Sequence, residues 1–254
     1  MAQGILTEIH GNGDPLVMVH GLGGTANAFG PQAEVLSRFF RVIRMDLPGS
    51  GRTPASGPVS IESLTDCVIS VLEQHGAGSP VHVVGHSMGT IVCQHLAVRR
   101  PDLVRSLALI GPLAQPPDAA RTAVRARAAK AREEGMTGIA EAIVQGGTSA
   151  ATKAAKPETA AFIRELLTRQ DPEGYALTCE ALAAAVAAPV EQLTCPSLLI
   201  TGSEDGTSPA PSVRALAMRI AGSKLVIIPA CGHWATLEAP SAVNDALLNF
   251  YFTT

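Results

Sequence analysis

Strand-length apolar runs alternate with longer helix-like stretches along most of this 254-residue chain, which restricts the possible folds more than any other feature. The runs at 5–9, 16–20, 42–46, 81–85 and 103–110 read as strands, and 31–39, 61–75 and 88–100 read as helices. After about residue 195 the alternation resumes with PSLLITG, a helical stretch at 211–220, KLVIIP and a last helix at 240–250. Units of this kind pair their strands in parallel through right-handed crossovers. The pattern predicts an α/β fold: a mostly parallel central sheet flanked by helices. The apolar mass suits such a sheet, because hydrophobic residues make up 46% of the chain and aromatics only 4%, leaving an aliphatic core.

Between residues 111 and 189 the strand signals stop. The stretch is Ala-rich and helix-favouring, broken at Gly135, at Gly146 and Gly147, near Pro157 and at Asp171 and Pro172. Three or four helices are expected there. Both ends run directly into strand patterns, so the segment reads as a helical cap inserted into one core made of 1–110 and 190–254, rather than as a separate domain.

The segment VHVVGHSMG places Gly85, His86, Ser87, Met88 and Gly89 after a strand and before a helix, the G-x-S-x-G nucleophile elbow. A serine on so tight a turn needs glycine two residues to either side, because a side chain there would strike neighbouring backbone. The pattern by itself also fits an ordinary glycine-flanked turn; the strand before and the helix after sharpen it. A nucleophilic serine needs a base. Of seven histidines, His10, His75, His82 and His95 fall in a turn, at a helix end, within a strand and within a helix, and His20 and His86 border glycine motifs. His233, in PACGHWATLEAP, lies on the loop between the last strand and the last helix. That loop opens at the carboxyl edge of the sheet, where α/β sites assemble. In SLLITGSEDGTSP both Glu204 and Asp205 could orient the base. Asp205 is preferred because the Gly-Thr-Ser-Pro turn after it suits a side chain directed back into the site, which leaves Glu204 as a solvated loop charge. The order Ser…Asp…His completes the pattern.

Taken together, HGLGG (20–24), DLPGSGRT (46–53), GHSMG (85–89), GSEDGTSP (202–209) and CGHWATLEAP (231–240) resemble the α/β-hydrolase superfamily along essentially the whole chain. Within it, the short inserted cap and the DPEGYA stretch (171–176) resemble the 3-oxoadipate enol-lactonase and carboxylesterase branch. The resemblance implies an α/β-hydrolase fold and hydrolysis of a carboxylic ester or lactone through an acyl-enzyme, with Ser87 as nucleophile, His233 as base and Asp205 as its orienter. It also implies an oxyanion hole made of the backbone N–H groups of Leu22 and Met88. Carbon–carbon bond hydrolysis and perhydrolysis use the same triad and stay open, as does a ligand-binding receptor that keeps the triad but turns over poorly.

In the cap, Arg121, Arg125 and Arg132 fall within about 40° of one another at 100° per residue. They form either a solvated face or a group from which one arginine meets a substrate carboxylate. Trp234, beside the base, either walls the pocket or packs on the last helix.

Other functions find no support. A net charge of −3 without a Lys/Arg block argues against nucleic-acid binding. The absence of H-E-x-x-H, G-x-x-x-x-G-K-[ST] and G-x-G-x-x-G argues against a metal, a phosphate-cradling loop or a dinucleotide cofactor. The apolar runs are too short to span a bilayer, and no signal peptide is evident. The five cysteines (67, 93, 179, 195 and 231) are odd in number and show no C-x-x-C spacing, so no disulfide is expected and a reducing cytoplasm fits best. The expected partner is a small-molecule ester or lactone, and a homodimer stays open.

Overall fold

The computed structural model describes residues 5–75 and 79–253. Among the described residues seven strands form one sheet: β1 (Thr7–His10), β2 (Pro15–Val19), β3 (Arg41–Met45), β4 (Val81–His86), β5 (Val104–Ile110), β6 (Ser197–Gly202) and β7 (Lys224–Ile228). Their order is β1-β3-β2-β4-β5-β6-β7. Every pairing is parallel except β1 with β3, which is antiparallel. The parallel expectation therefore fails at the first edge, where only the short segment 11–14 separates β1 from β2. So short a segment cannot make a crossover.

The buried strands read apolar on both sides, and alternate residues feed two separate cores. Val17, Ile43, Leu107, Leu109 and Leu199 join one cluster; Leu16, Met18, Ala108, Ile110, Leu198 and Ile200 join the other. The first face is covered by α2 (Ile61–His75) and α3 (Met88–Arg99), together with α9 (Ala210–Arg219). α2 presents Ile61, Leu64, Thr65, Val68, Val71 and Leu72, the stripe of an amphipathic helix. α3 is buried nearly all round. The second face is covered by α1 (Gly30–Leu36) and α11 (Pro240–Phe252).

Five helices rather than three or four lie between β5 and β6: α4 (Asp118–Glu134), α5 (Thr137–Gly147), α6 (Ala150–Ala155), α7 (Pro157–Thr168) and α8 (Pro172–Ala184). The divisions fall at the four expected breaks, and the one near Pro157 lies at Lys156, because the chain before a proline avoids the helical region while proline itself starts the next helix well. α4 packs along α8 and α5 along α7. The short helix α10 (Ala235–Glu238), which was not expected, precedes α11.

Between β2 and β4 the strand order reverses direction, and there β4 turns sharply into α3. Ser87 sits in that turn with φ 53° and ψ −122°, a region that side-chain-bearing residues rarely adopt. A Cβ on Gly89 would lie 2.3 Å from the carbonyl oxygen of Val19, and one on Gly85 would lie 2.8 Å from that of Gly89. The two flanking glycines thus let α3 start directly against the end of β2.

Two consequences for stability can be measured. Gly89→Ala forces a methyl group into backbone that cannot yield, so chemical denaturation should show a loss of about 3 kcal/mol or more, at the upper end of overpacking costs. The second concerns pH. His82 is pushed down to about 4 by burial and by the nearby Arg105, and His86 to about 3 by burial and by His233. Each stays neutral in the fold but gains a proton when unfolded, near the free imidazole pKa of about 6.5. Their contribution is complete above that pH and is lost as the pH falls towards about 4 and about 3. The melting temperature should therefore fall as the pH drops below about 6.5, and His82→Asn should flatten the decline.

Candidate active site

Four loops meet at the carboxyl ends of β2, β4, β6 and β7. From them come the segment 20–24, Ser87, Asp205 and His233. His233 Nε2 lies 2.8 Å from Ser87 Oγ, and His233 Nδ1 lies 2.8 Å from Asp205 Oδ2 and 3.0 Å from Oδ1. The three residues widely separated in sequence thus form one continuous hydrogen-bonded line. Ser87 and His233 are each 8% exposed and Asp205 3%, so the line is almost closed to solvent. The carboxylate fixes the tautomer: Nδ1 carries the proton and donates to Asp205, leaving Nε2 to accept from the serine hydroxyl.

Asp205 is itself held by the turn that follows it. Its Oδ1 accepts from the backbone N–H of Thr207 at 2.9 Å and of Ser208 at 2.7 Å. Burial alone would raise its pKa. The His233 ring and these amides outweigh burial and hold the carboxyl below its usual range. Glu204 points elsewhere and is not merely solvated: its Oε2 accepts from the N–H of Ala150 at 2.8 Å.

The glycine loop after β2 is anchored by His20. Nδ1 donates to the Gly21 carbonyl at 2.8 Å, and Nε2 accepts from Leu47 N–H at 2.9 Å. Burial lowers the His20 pKa, and only the neutral ring can accept that second bond. The Asp46 carboxylate, from DLPGSGRT, holds the adjoining turns through Ala26 N–H and through Arg52. Leu22 lines the cavity above Ser87, and Met88 opens α3 directly after the serine.

That cavity has a volume of about 500 Å³. Its floor is Ser87, His86 and His233, and much of its wall comes from α4 and α5. Trp234, 3% exposed, lines it and packs on His86 with ring centroids 5.6 Å apart. None of the three arginines singled out in the sequence reaches it. Arg121 donates to the carbonyls of Ala183 (2.5 Å) and Ala185 (2.7 Å) at the end of α8, Arg132 pairs with Glu173 and Glu180, and Arg125 is exposed. Their common face is real but is turned away from the cavity. The inward face of α4 is Ala120, Ala123, Val124 and Arg127, at i, i+3, i+4 and i+7. Arg127 is the one Lys, Arg, Asp or Glu among the residues lining the cavity, about 120–160° around the helix from the other three. No ion pair joins it to a carboxylate among the described residues. Its charge pulls the Cys179 thiol pKa down, against the burial that pushes it up to about 12.

His86 also went unrecognised in the sequence. Its Nε2 donates to the backbone carbonyl of His233 at 2.8 Å, so the residue before the serine supports the loop of His233.

Among the described residues no helix is long and apolar enough to cross a membrane. Comparison with known proteins places these features in a family. The chain is 30% identical over 249 residues to (E)-2-((N-methylformamido)methylene)succinate hydrolase of Acinetobacter baylyi, covering 96% of this chain and 92% of that one. A thermophilic esterase from Thermogutta terrifontis, solved with malate bound, superposes with a TM-score of 0.93 at 29% identity, covering 98% and 93% of the two chains. The enol-lactonase from Burkholderia xenovorans superposes with a TM-score of 0.91 at 30% identity, covering 97% and 96%. Residues 16–246 match the model of the alpha/beta hydrolase family, and the chain belongs to that family.

Proposed function

We propose that the protein hydrolyses a carboxylic ester or lactone through an acyl-enzyme on Ser87. The observation that carries this reading is the hydrogen-bonded line from Ser87 Oγ through His233 to Asp205, with the serine on a strained turn at the floor of the cavity. Ser87 Oγ attacks the carbonyl carbon as its proton passes to His233 Nε2. Asp205 stabilises the imidazolium that results. The oxyanion is met by the N–H groups of Leu22 and Met88, the latter at a helix N-terminus where the dipole favours negative charge. Collapse breaks the carbonyl carbon–oxygen bond to the alcohol, which leaves with the proton from Nε2. Water, deprotonated by the same nitrogen, then releases the acid and frees Ser87. In a lactone the alcohol freed by ring opening stays part of the acyl group, and the last step releases a single hydroxy acid. Named relatives that act on a succinate derivative and on an enol-lactone support this class of substrate.

Within this reading, Arg127 is the group that selects an acid-bearing substrate. A half-buried guanidinium with no carboxylate partner, in an otherwise largely apolar wall, favours a substrate that brings its own carboxylate. Malate in the esterase of similar fold agrees with such a pocket.

Two measurements test the proposal. Ser87→Ala should keep the fold and lower kcat on p-nitrophenyl esters by about three orders of magnitude or more; retention of more than about a tenth would remove Ser87 as nucleophile. For specificity, a charge-assisted contact of about 1.5–3 kcal/mol corresponds to about a 10- to 100-fold effect. Arg127→Gln should reduce kcat/KM for a carboxylate-bearing ester by that factor and leave its neutral methyl ester almost unchanged, while Arg125→Gln affects neither. Equal losses on both esters would show that Arg127 supports the wall and does not read charge.

A further inference from the structure

Glu238 belongs to the CGHWATLEAP segment, yet no step of the proposed reaction uses it. It is 2% exposed, an unusual place for a carboxylate, and no Lys or Arg side chain pairs with its oxygens among the described residues. Four donors surround it instead. Oε2 accepts from Ser149 N–H at 2.7 Å, from Thr152 Oγ1 at 2.8 Å and from Gly232 N–H at 3.2 Å, and Oε1 accepts from Trp234 N–H at 3.1 Å. Two of these donors flank His233. The other two belong to the start of α6, in the inserted helices.

The same two stretches touch elsewhere. His233 donates its own backbone N–H to the carbonyl of Gly147 at 2.8 Å, and Lys156 Nζ donates to the backbone carbonyl of Glu238 at 2.6 Å. A Cβ on Gly232 would stand 2.7 Å from each of Glu238 Oε1, Gly147 O and Ser149 N, so the backbone at 232, the backbone at 147–149 and the Glu238 carboxylate close on one another with no room for a side chain. From the acid's loop, Glu204 reaches Ala150 N–H. Carboxylates next to the orienter and just after the base thus grip one short segment, 149–152.

We propose that Glu238 is a positioning residue that clamps the loop of His233 to residues 147–152, so that the inserted helices, and not the sheet alone, hold the base in line with Ser87. The chemistry requires a carboxylate. All four neighbours donate, and a carboxylate offers only acceptors, whereas the NH₂ of glutamine would face an N–H. A buried donor left without an acceptor loosens the loop it belongs to. Because the clamp crosses from cap to base, movement of the cap shifts His233 Nε2 relative to Ser87 Oγ. The proposal rests on the serine-hydrolase reading for its effect on turnover but not for its effect on the loop.

The test measures both. Hydrogen exchange of the peptide spanning 230–239 and ester hydrolysis are followed in Glu238→Gln and in Thr152→Val, which removes one donor far from the reacting atoms. Glu141→Gln serves as control, since it breaks the exposed Arg164–Glu141 pair between α5 and α7 within the same helices. Glu238→Gln should speed exchange of 230–239 about tenfold or more and lower kcat by about 10- to 100-fold with KM within about threefold, as a misplaced base would. Thr152→Val should move both in the same direction by less, and Glu141→Gln should move neither. Unchanged exchange in a folded Glu238→Gln, or faster exchange with wild-type kcat, overturns the clamp. Should Glu238→Gln not fold, Thr152→Val decides by the same two readings. A wild type inert towards all esters would defeat the hydrolase reading, while exchange would still judge the clamp.

Discussion

The backbone at Ser87 is the constraint on which the rest of the site depends. A side-chain-bearing residue at φ 53° and ψ −122° costs on the order of 1–3 kcal/mol, and it persists only where neighbouring structure determines it several times over. Here it does. Ser87 N–H donates to the Ile110 carbonyl at 2.9 Å, and the Ser87 carbonyl accepts from Thr90 N–H at 2.8 Å and from Thr90 Oγ1 at 2.6 Å. α3 starts against the last carbonyl of β2. Three adjacent parallel strands therefore share in holding one turn. Because β2, β4 and β5 are buried on both faces, their aliphatic packing is what maintains the strain.

A rigid turn would be of no use with a mobile partner. His233 comes from a loop more than 140 residues away along the chain, and the sheet fixes only where that loop begins. Its final position depends on polar contacts at three points: Gly147 O on its N–H, His86 Nε2 on its carbonyl and Asp205 on its ring. One of these comes from the inserted helices. The helices that form the wall of the cavity thus also help to hold His233, so in the proposed reaction one set of contacts would join substrate recognition to the placing of the base.

How much of this could be read from the sequence follows from the range of each interaction. All seven strands were legible, because their apolar runs reflect burial and burial is written residue by residue. The direction of β1 was not, since alternation carries no sign of direction. The four-residue α10 is set by local backbone chemistry over a span too short for periodicity to register, whereas the division at Lys156 was marked by Pro157. Ser87, Asp205 and His233 stood out because glycine flanks and loop positions mark them. Arg127 did not, although its neighbours did. A 100° turn per residue places four arginines on α4, and only the packing partners of the helix decide which one faces inward. Glu238 and Glu204 bond across 89 and 54 residues to backbone N–H groups, which every residue but proline has. No sequence pattern distinguishes such acceptors. His86 has the same difficulty, because its partner is a carbonyl.

The charge balance around the base completes the picture. The rings of His86 and His233 lie 5.2 Å apart between centroids. Two imidazolium ions at that distance would repel by about 3 kcal/mol at an effective dielectric of about 20. In the proposed reaction His233 must become cationic, so any charge on His86 would raise the barrier directly. Burial and the proximity of His233 push His86 down to about 3, which keeps it neutral throughout. The neutral ring still donates one hydrogen bond, and that bond is the one His233 needs at its carbonyl. Asp205 is the opposite case: its amide donors and the His233 ring keep it ionised despite burial. In the proposed reaction the negative charge of Asp205 beside His233, with the neighbouring His86 ring kept neutral, gives the imidazolium a partner and removes its nearest rival. Two histidines placed almost in contact therefore serve different ends because their surroundings, not their chemistry, differ.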